Sequence, residues 1–209
     1  MVFPFSICRI EDINGQMYEW RASGYQNDLR SCVIYDAFKA SLSLPGDVAE
    51  FGAAQCETSS ELARYLETFH IKKRVHIFES FEGLLDWSEQ DNSAYRSLCS
   101  GLYATCREVA DWFLAERSQY VLHKGRFTQF MDFDTPLCFA HVDADLYQPT
   151  REALSIVKQC LVSGGLVILD DYGADCWPGV KAAADELIAD WEVLLEPAGS
   201  AQRVMRKPV

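Results

Sequence analysis

The chain has 209 residues, a hydrophobic content of 49% and a formal net charge of −12. This length and apolar content suffice for one well-cored domain and are too small for two, so we expect a single domain over residues 1–209 with an N-terminal extension at 1–26. The acidic balance excludes a nonspecific hold on nucleic acid or on an anionic membrane surface, because both require clustered Lys and Arg. No apolar run reaches the length of a membrane span. A cytoplasmic protein without nucleic-acid or membrane partners is therefore expected, and it could form homo-oligomers.

The sequence contains eight cysteines, none of them in a C-x-x-C pair. Most lie inside apolar stretches such as "PLCFAHV" and "VKQCLV". This pattern favours reduced thiols that pack as small hydrophobic groups over a zinc site or a disulfide framework, since both of those require clustered cysteines.

Short apolar runs alternate with segments of helical period, which predicts a βαβα chain. The first five strands are continuous apolar runs, as expected for parallel strands covered on both faces. They are predicted at 47–52, 74–80, 119–125, 137–143 and 165–171. Two more strands, at 191–196 and 202–207, are joined by a short "PAGSA" link and predict a terminal antiparallel hairpin.

Helices are predicted between these strands. Their approximate ranges are 27–43, 58–69, 101–117, 149–161 and 178–191. The second helix opens with the capping-box spacing of Thr58 and Glu61, and the polar stretch 84–95 is predicted to be a loop. We expect an α/β, Rossmann-like fold, with a mostly parallel seven-stranded sheet, helices on both faces and a terminal antiparallel hairpin. This is the outline of a class I methyltransferase.

Acidic residues follow two of the predicted strands at the point where each strand ends. The fourth strand runs into Asp143 and Asp145, and the fifth runs into Asp170 and Asp171. Ligands of open α/β sheets bind at the carboxyl ends of the strands. If these strands are neighbours, about 4.8 Å apart, then Asp143, Asp170 and Asp171 lie within reach of one point. Carboxylates that repel one another require a cation, and oxygen-only ligands suit Mg²⁺ or Ca²⁺.

Other interpretations of these residues stay open. An Asp-Asp pair alone more often caps a helix or lies in solvent, and it is the third carboxylate that favours a metal site. His141 lies on the same side of its strand as Asp143, where it could support the site, act as a base, or be an ordinary core histidine. Tyr147 and Tyr172 flank the acids and either line a pocket or pack.

A second candidate site follows the first two strands. Glu50 and Gly52 end the first strand before small residues and a helix start, and Glu79 ends the second. An acid after the second strand and a tight turn after the first match the usual way of holding an adenosine cofactor. The loop carries one glycine where dinucleotide loops carry three, so it is a weak motif on its own.

Four segments together resemble a known family. "VAEFGAAQCETSSELARYL", "HIFESFEGL", "HVDADLYQPTREAL" and "LVSGGLVILDDYGADCWPGVKAAADEL" are similar, in order and spacing, to the macrocin O-methyltransferase (TylF/MycF-like) family. The resemblance runs from about residue 27 to 190. It implies S-adenosylmethionine as cofactor, Mg²⁺ dependence, and methyl transfer to a hydroxyl group of a small acceptor such as a sugar or natural-product scaffold.

The resemblance also implies roles for individual residues. Asp143, Asp170 and Asp171 correspond to the Mg²⁺ ligands, and Asp143 is in addition a candidate general base, with His141 as a second candidate. The segment 84–100, with Trp87 and Tyr95, is a candidate lid. The implied cofactor contacts are Glu50, Phe51 and Gly52 at the methionine part, Glu79 at the ribose, Ser80, Phe81 and Gly125 near the adenine, and Asp143.

Two residues depart from the family pattern. Cys56 stands where the family usually has a second glycine, and Glu79 stands where it usually has Asp; both changes put the shape of the cofactor pocket in question. We therefore keep two alternatives, a nucleotide-dependent oxidoreductase and a non-catalytic binding module of the same fold. The missing G-x-G-x-x-G motif argues against the first, and the retained aspartates argue against the second.

Overall fold

A computed structural model describes residues 7–11, 17–21 and 28–209. Strands β1 (Ile7–Glu11) and β2 (Met17–Arg21) form a two-stranded antiparallel sheet, which the sequence analysis did not predict. The rest of the predicted N-terminal extension lies outside the described residues.

The main sheet contains seven strands in the order β5-β4-β3-β6-β7-β9-β8. Strands β3 to β7 run parallel, whereas β9 pairs antiparallel with both β7 and β8. This arrangement confirms the predicted parallel sheet and its terminal hairpin. The strands are β3 (Asp47–Phe51), β4 (Val75–Glu79), β5 (Tyr120–Lys124), β6 (Leu137–Val142), β7 (Leu161–Leu169), β8 (Glu192–Leu195) and β9 (Arg203–Arg206).

Six α-helices occur within residues 28–209. The helix at Ser93–Cys99 was not predicted, and it begins inside the stretch 84–95 that was expected to be a loop. Its N-cap is Asn92, whose side chain accepts a hydrogen bond from the Ala94 N–H. The helices are α1 (Asp28–Ser41), α2 (Glu57–Thr68), α3 (Ser93–Cys99), α4 (Arg107–Leu114), α5 (Tyr147–Cys160) and α6 (Pro178–Leu187), with a 3₁₀ turn at Phe127–Phe130.

The predicted capping box at the start of α2 is wrong. The N-cap is Cys56, in a left-handed conformation with φ of 63°, and no side chain caps the helix there. The chain turns tightly between β3 and α2, with Ala54 also at positive φ. This turn begins the helix two residues before the N-cap that Thr58 would form.

The sheet separates two apolar layers. Helices α5 and α6 pack on one face, where Leu154, Val157 and Val180 are buried. Helices α1, α2 and α4 cover the other face, with Phe38 and Leu62 in its core. All six residues of β6 are buried, as a central strand covered on both faces requires.

The cysteines of residues 28–209 are free thiols. Cys56, Cys138 and Cys160 are buried, as expected, whereas Cys106 is exposed. Burial raises the pKa of the Cys56 and Cys138 thiols, so both are protonated, unreactive side chains at neutral pH.

Candidate active site

The strand order brings the predicted acids to one edge of the sheet. Strand β6 lies between β3 and β7, so the ends of all three strands are adjacent. The Asp143 N–H donates to the Phe51 carbonyl at 2.9 Å, and the Asp170 N–H donates to the Val142 carbonyl at 2.9 Å. These backbone bonds fix the two aspartates at the carboxyl ends of neighbouring strands.

Gly52 is essential to this close approach. Its φ is +83°, and a Cβ atom added there would lie 2.0 Å from the Asp143 carbonyl oxygen. Its N–H donates to the Phe78 carbonyl at 3.0 Å. The single glycine of the loop therefore stands where β3 and β6 leave no room for a side chain.

A cavity of about 620 Å³ opens above this edge. Five of the predicted cofactor residues line it: Gly52, Glu79, Ser80, Gly125 and Asp143. The other three do not. Glu50 and Phe51 are buried below the cavity, and Phe81 is buried beside it with its backbone at positive φ.

Glu50 takes part in a buried polar chain beneath the cavity. Its carboxylate accepts a hydrogen bond from the Ser59 hydroxyl and lies 2.9 Å from Nδ1 of His141. The other ring nitrogen of His141 lies 3.3 Å from Asp170. Burial alone would lower the pKa of His141, but the two carboxylates raise it well above its ordinary value. His141 thus links Glu50 to Asp170 through its two ring nitrogens.

Glu79 is held rigidly on the cavity wall. Its carboxylate accepts hydrogen bonds from the N–H groups of Ala54 at 2.7 Å and Phe81 at 2.6 Å. Ala54 and Phe81 both have positive φ, a conformation that costs free energy and is common at binding sites. Burial raises the pKa of Glu79, while these backbone hydrogen bonds oppose the increase.

The acidic cluster has four carboxylates rather than the three that were predicted. Ligand atoms of Asp143, Asp145 and Asp171 lie within 4.8 Å of one another, and so do those of His141, Asp143 and Asp170. Asp143 belongs to both groups. Asp145 and Asp171 each have φ of 57°, which Asp tolerates better than most residues.

Three of these carboxylates repel one another. Burial and the charges of Asp170 and Asp145 raise the pKa of Asp143 well above its ordinary value. Burial and the charge of Asp171 do the same for Asp145. The pKa of Asp171 is raised mainly by burial, although Arg30 opposes this.

Asp170 is the exception in the cluster. Arg30 binds it through Nη2 at 2.7 Å and through Nε at 3.2 Å. Burial would raise the pKa of Asp170, but the hydrogen bonds and charges of His141 and Arg30 lower it. One aspartate of the cluster is thus compensated by cations, and three are compensated poorly.

The donor set fits a hard divalent cation. Carboxylate oxygens are the ligands that Mg²⁺ and Ca²⁺ prefer, and the unfavourable charges of Asp143, Asp145 and Asp171 are those that a bound cation would neutralise. Most of the donors come from two adjacent strand ends. Such a cluster can hold a metal directly beside a cavity wall.

The segment 84–100 is anchored to the helical layer. Asp91 is buried and accepts hydrogen bonds from the Ser88 N–H at 2.8 Å and from the Tyr147 N–H at 2.8 Å, at the start of α5. The Trp87 ring packs against Trp177 with centroids 6.0 Å apart. Leu84, Leu85 and Asp86 line the cavity. The segment therefore forms a wall of the cavity, and its movement as a lid stays a prediction.

The two tyrosines that flank the acids point to other partners. Tyr147 donates to Glu186, and Tyr172 donates to Asp185 at 3.0 Å and lies 3.6 Å from the Arg203 guanidinium. Neither is among the residues that line the main cavity. Tyr147 is hydrogen-bonded at the surface, whereas Tyr172 lines a second, smaller cavity together with Gly199 and Ala201.

The sequence analysis missed several residues of the cavity. Asp145 was recognised at a strand end but not assigned as a ligand, although the D-x-D spacing could have indicated it. Arg30, Tyr103 and the tip of the β8–β9 hairpin carry no local signal, because they reach the cavity from distant parts of the chain. The tip contributes Gly199, Ser200 and Ala201.

Comparison with known proteins decides the family. The sequence matches the macrocin-O-methyltransferase (TylF) family over residues 27–194. The chain belongs to this family. It is accordingly an S-adenosylmethionine-dependent methyltransferase of the O-methyltransferase type. No curated protein matches the sequence at a significant level.

Solved structures share the fold. The O-methyltransferase NovP is 21% identical, with a TM-score of 0.76, over 91% of this chain and 85% of that chain. CalS11, a calicheamicin methyltransferase, is 21% identical, with a TM-score of 0.68, over 85% and 78% of the two chains. TomG from Streptomyces achromogenes, solved with SAM, is 18% identical, with a TM-score of 0.56, over 88% and 82%.

No helix in the described ranges is long and apolar enough to cross a membrane. The cytoplasmic location, the single domain over residues 1–209 and the formation of homo-oligomers stay predictions.

Proposed function

We propose that this methyltransferase transfers the methyl group of S-adenosylmethionine to a hydroxyl group of a small, uncharged or amine-bearing acceptor, with the help of Mg²⁺. The observation that carries the proposal is the cluster of four buried or half-buried aspartates at the wall of the cavity. Carboxylates that repel one another in this way are costly for the fold unless they serve a cation.

The cofactor would occupy the part of the cavity above β3, β4 and β5. Gly52 leaves the backbone open there, and Glu79 offers a fixed carboxylate suited to a ribose diol. Ser80 and Gly125 line the same part of the cavity. Glu50 would act from below, by holding His141 and the start of α2, rather than by touching the methionine part.

The metal would be held by Asp143, Asp145 and Asp171, with Asp170 as a further ligand. A divalent cation bound there would lower the pKa of an acceptor hydroxyl. Asp143 reaches both the cavity and the cluster, so it is the carboxylate best placed to accept the proton of an acceptor hydroxyl. His141 is fully buried with both ring nitrogens engaged, so we assign it a positioning role rather than that of a base.

The charge of the cavity restricts the acceptor. Eight carboxylates and two guanidinium groups line the cavity. Even with a divalent cation bound and some carboxylates protonated, the field stays negative and disfavours an anionic acceptor. The exposed Tyr103 and Leu85 offer apolar surface for one face of a ring. One solved structure describes CalS11 as a TDP-rhamnose 3'-O-methyltransferase, and we expect this chain to reject such diphosphate-linked sugars.

Calorimetric titration with S-adenosylhomocysteine, with and without Mg²⁺, tests the cofactor site. We expect wild-type binding, a loss of at least about tenfold in Glu79→Gln because a ribose-binding carboxylate is removed, and an unchanged affinity in Glu89→Gln, an exposed acid outside the cavity. Equal affinities in both variants would contradict the assigned role of Glu79, and no binding in the wild type would contradict the proposal.

Methyl transfer to matched acceptors tests the charge argument. The same hydroxylated sugar is offered as a neutral glycoside, as an amino sugar and as its nucleoside diphosphate conjugate. We expect kcat/KM for the conjugate to be at least about tenfold lower than for the glycoside, as repulsion of a dianion implies. Preference for the conjugate would show that the acceptor class is wrong.

A further inference from the structure

Arg30 lies in the first turn of α1 and reaches the carboxyl ends of β6 and β7. Its guanidinium lines the cavity. Nη2 lies 2.7 Å from Oδ2 of Asp170, Nε lies 3.2 Å from Oδ1 of the same residue, and Nη2 lies 3.5 Å from Oδ1 of Asp171. One guanidinium thus engages both neighbouring aspartates of β7.

These contacts engage both oxygens of Asp170. Oδ1 is held by Arg30, and Oδ2 is shared between Arg30 and His141. No ion pair involving Asp143 or Asp145 occurs among the described residues. Among the described residues, the ion-pair partners of the cluster therefore contact Asp170 and Asp171, and none contacts Asp143 or Asp145.

We propose that the Arg30 guanidinium is the resident counterion of the acidic cluster, and that a divalent cation must compete with it for Asp170 and Asp171. This inference rests on the proposed metal site and adds a residue that sets the affinity of that site. Arg30 is a positioning residue here: it acts on the metal through the two aspartates that it holds.

The physical reason is the repulsion between two cations that share carboxylates. A guanidinium beside the cluster stabilises the metal-free protein, because it offsets part of the repulsion among four carboxylates. The same charge opposes the entry of a second cation a few ångströms away. Arg30 thus increases the stability of the metal-free fold and decreases its affinity for a metal ion.

Calorimetric titration of Mg²⁺ into the wild-type chain, Arg30→Gln and Arg30→Lys, each with S-adenosylhomocysteine bound, tests this inference. We expect Arg30→Gln to bind Mg²⁺ about tenfold more tightly than the wild type, because the competing charge is gone. Arg30→Lys keeps the charge and should lie within about threefold of the wild type. The thermal midpoint of metal-free Arg30→Gln should fall, and Mg²⁺ should raise it more than it raises that of the wild type.

Arg126→Gln is the matched control. Arg126 also lines the cavity, but it pairs with Glu82 and Asp86 at the rim rather than with the cluster. The same change of charge should alter the Mg²⁺ affinity there by less than about twofold, since exposed charges are screened. A tenfold increase in both variants would overturn the specific role of Arg30.

The outcomes separate this inference from the proposed function. Weaker or unchanged Mg²⁺ binding in Arg30→Gln, beside a wild type that binds Mg²⁺, would overturn the inference alone. A wild type that binds S-adenosylhomocysteine but no Mg²⁺ would overturn the metal half of the proposed function, and the inference with it. A general loss of fold in Arg30→Gln would appear as lost cofactor binding, and the Arg30→Lys result then decides: wild-type affinity supports the counterion role, and a tenfold change contradicts it.

Discussion

The carboxyl ends of β6 and β7 carry the same residue type in opposite electrostatic conditions. At the end of β7, Asp170 lies between Arg30 and His141, and its pKa is lowered. At the end of β6, Asp143 and Asp145 face other carboxylates, and the pKa of each is raised well above its ordinary value. The comparison indicates that Asp170 maintains the structure and that Asp143 and Asp145 are left for a ligand.

The largest expected effect follows from substitution on the β6 side. Asp143→Asn removes a carboxylate that belongs to both candidate metal groups and keeps the shape of the side chain. We expect kcat for the best acceptor to fall by about 1,000-fold, equivalent to about 4 kcal/mol. The control is Asp175→Asn, an exposed aspartate on the same loop as Asp171. A decrease in kcat of less than tenfold would contradict the assignment of Asp143 as a metal ligand and base.

A second substitution tests how β3 positions the β6 end. Gly52→Ala places a Cβ atom 2.0 Å from the Asp143 carbonyl oxygen, and should lower the free energy of unfolding by about 3 kcal/mol or more. Gly164→Ala is matched, because Gly164 also has positive φ but nothing lies within 4 Å of the added atom. That change should cost about 1 kcal/mol. Equal costs in denaturant unfolding would show that the approach of β3 to β6 is not tight.

Two isosteric substitutions should change the free energy of unfolding of the metal-free protein in opposite directions. Asp170→Asn removes the carboxylate that Arg30 and His141 share and should destabilise the fold by about 2–3 kcal/mol. Asp145→Asn removes a repelling charge and should stabilise the fold by about 1 kcal/mol at pH 8.

The pH dependence of stability is an independent test of whether Asp145→Asn stabilises the fold. A carboxyl group whose folded pKa is raised contributes stability at low pH, and this contribution is lost as pH rises through the folded pKa. The gain from Asp145→Asn should therefore grow as pH rises above the ordinary Asp pKa of about 4. Thermal unfolding with a chelator present measures it, and destabilisation by both substitutions would break the contrast between β6 and β7.

The smallest expected effect lies away from the acids. His123 contacts His76 at 3.0 Å among aromatic rings, and burial together with the charge of His76 lowers its pKa to about 4. The unfolded chain then takes up the proton first, so stability falls as pH decreases from about 6.5 to 4. In His123→Gln the decrease in Tm over this window should be smaller by about 2 °C. The same pH dependence of Tm in His123→Gln and in the wild type would show that His123 does not contribute to the loss of stability at low pH.

Much of the fold follows directly from the sequence. Every residue of β4 and β6 is buried because helices cover both faces, and their mostly apolar sequences are visible without a structure. The acids of the site could be predicted because they follow those runs. Asp143, Asp170 and Glu79 were all found by their position at a strand end.

Other features depend on contacts that no local pattern encodes. Arg30 and Asp170 are in contact although they are 140 positions apart in the sequence. The sequence around Arg30 therefore does not indicate that its side chain contacts the acidic cluster. The capping box at Thr58 was overridden because the tight turn after Gly52 ends in a left-handed Cys56. Glu50 lies two residues before Gly52, yet its carboxylate contacts Ser59 of α2 and His141 and does not line the cavity.

The most direct test of the central claim is a calorimetric titration of Mg²⁺ into the wild-type chain and into Asp143→Asn/Asp171→Asn, both saturated with S-adenosylhomocysteine. We expect one bound Mg²⁺ per wild-type chain, no bound Mg²⁺ in the variant, and cofactor affinities that agree within a few-fold. A wild type that binds the cofactor but no Mg²⁺, or a variant that binds Mg²⁺ as well as the wild type does, would contradict it.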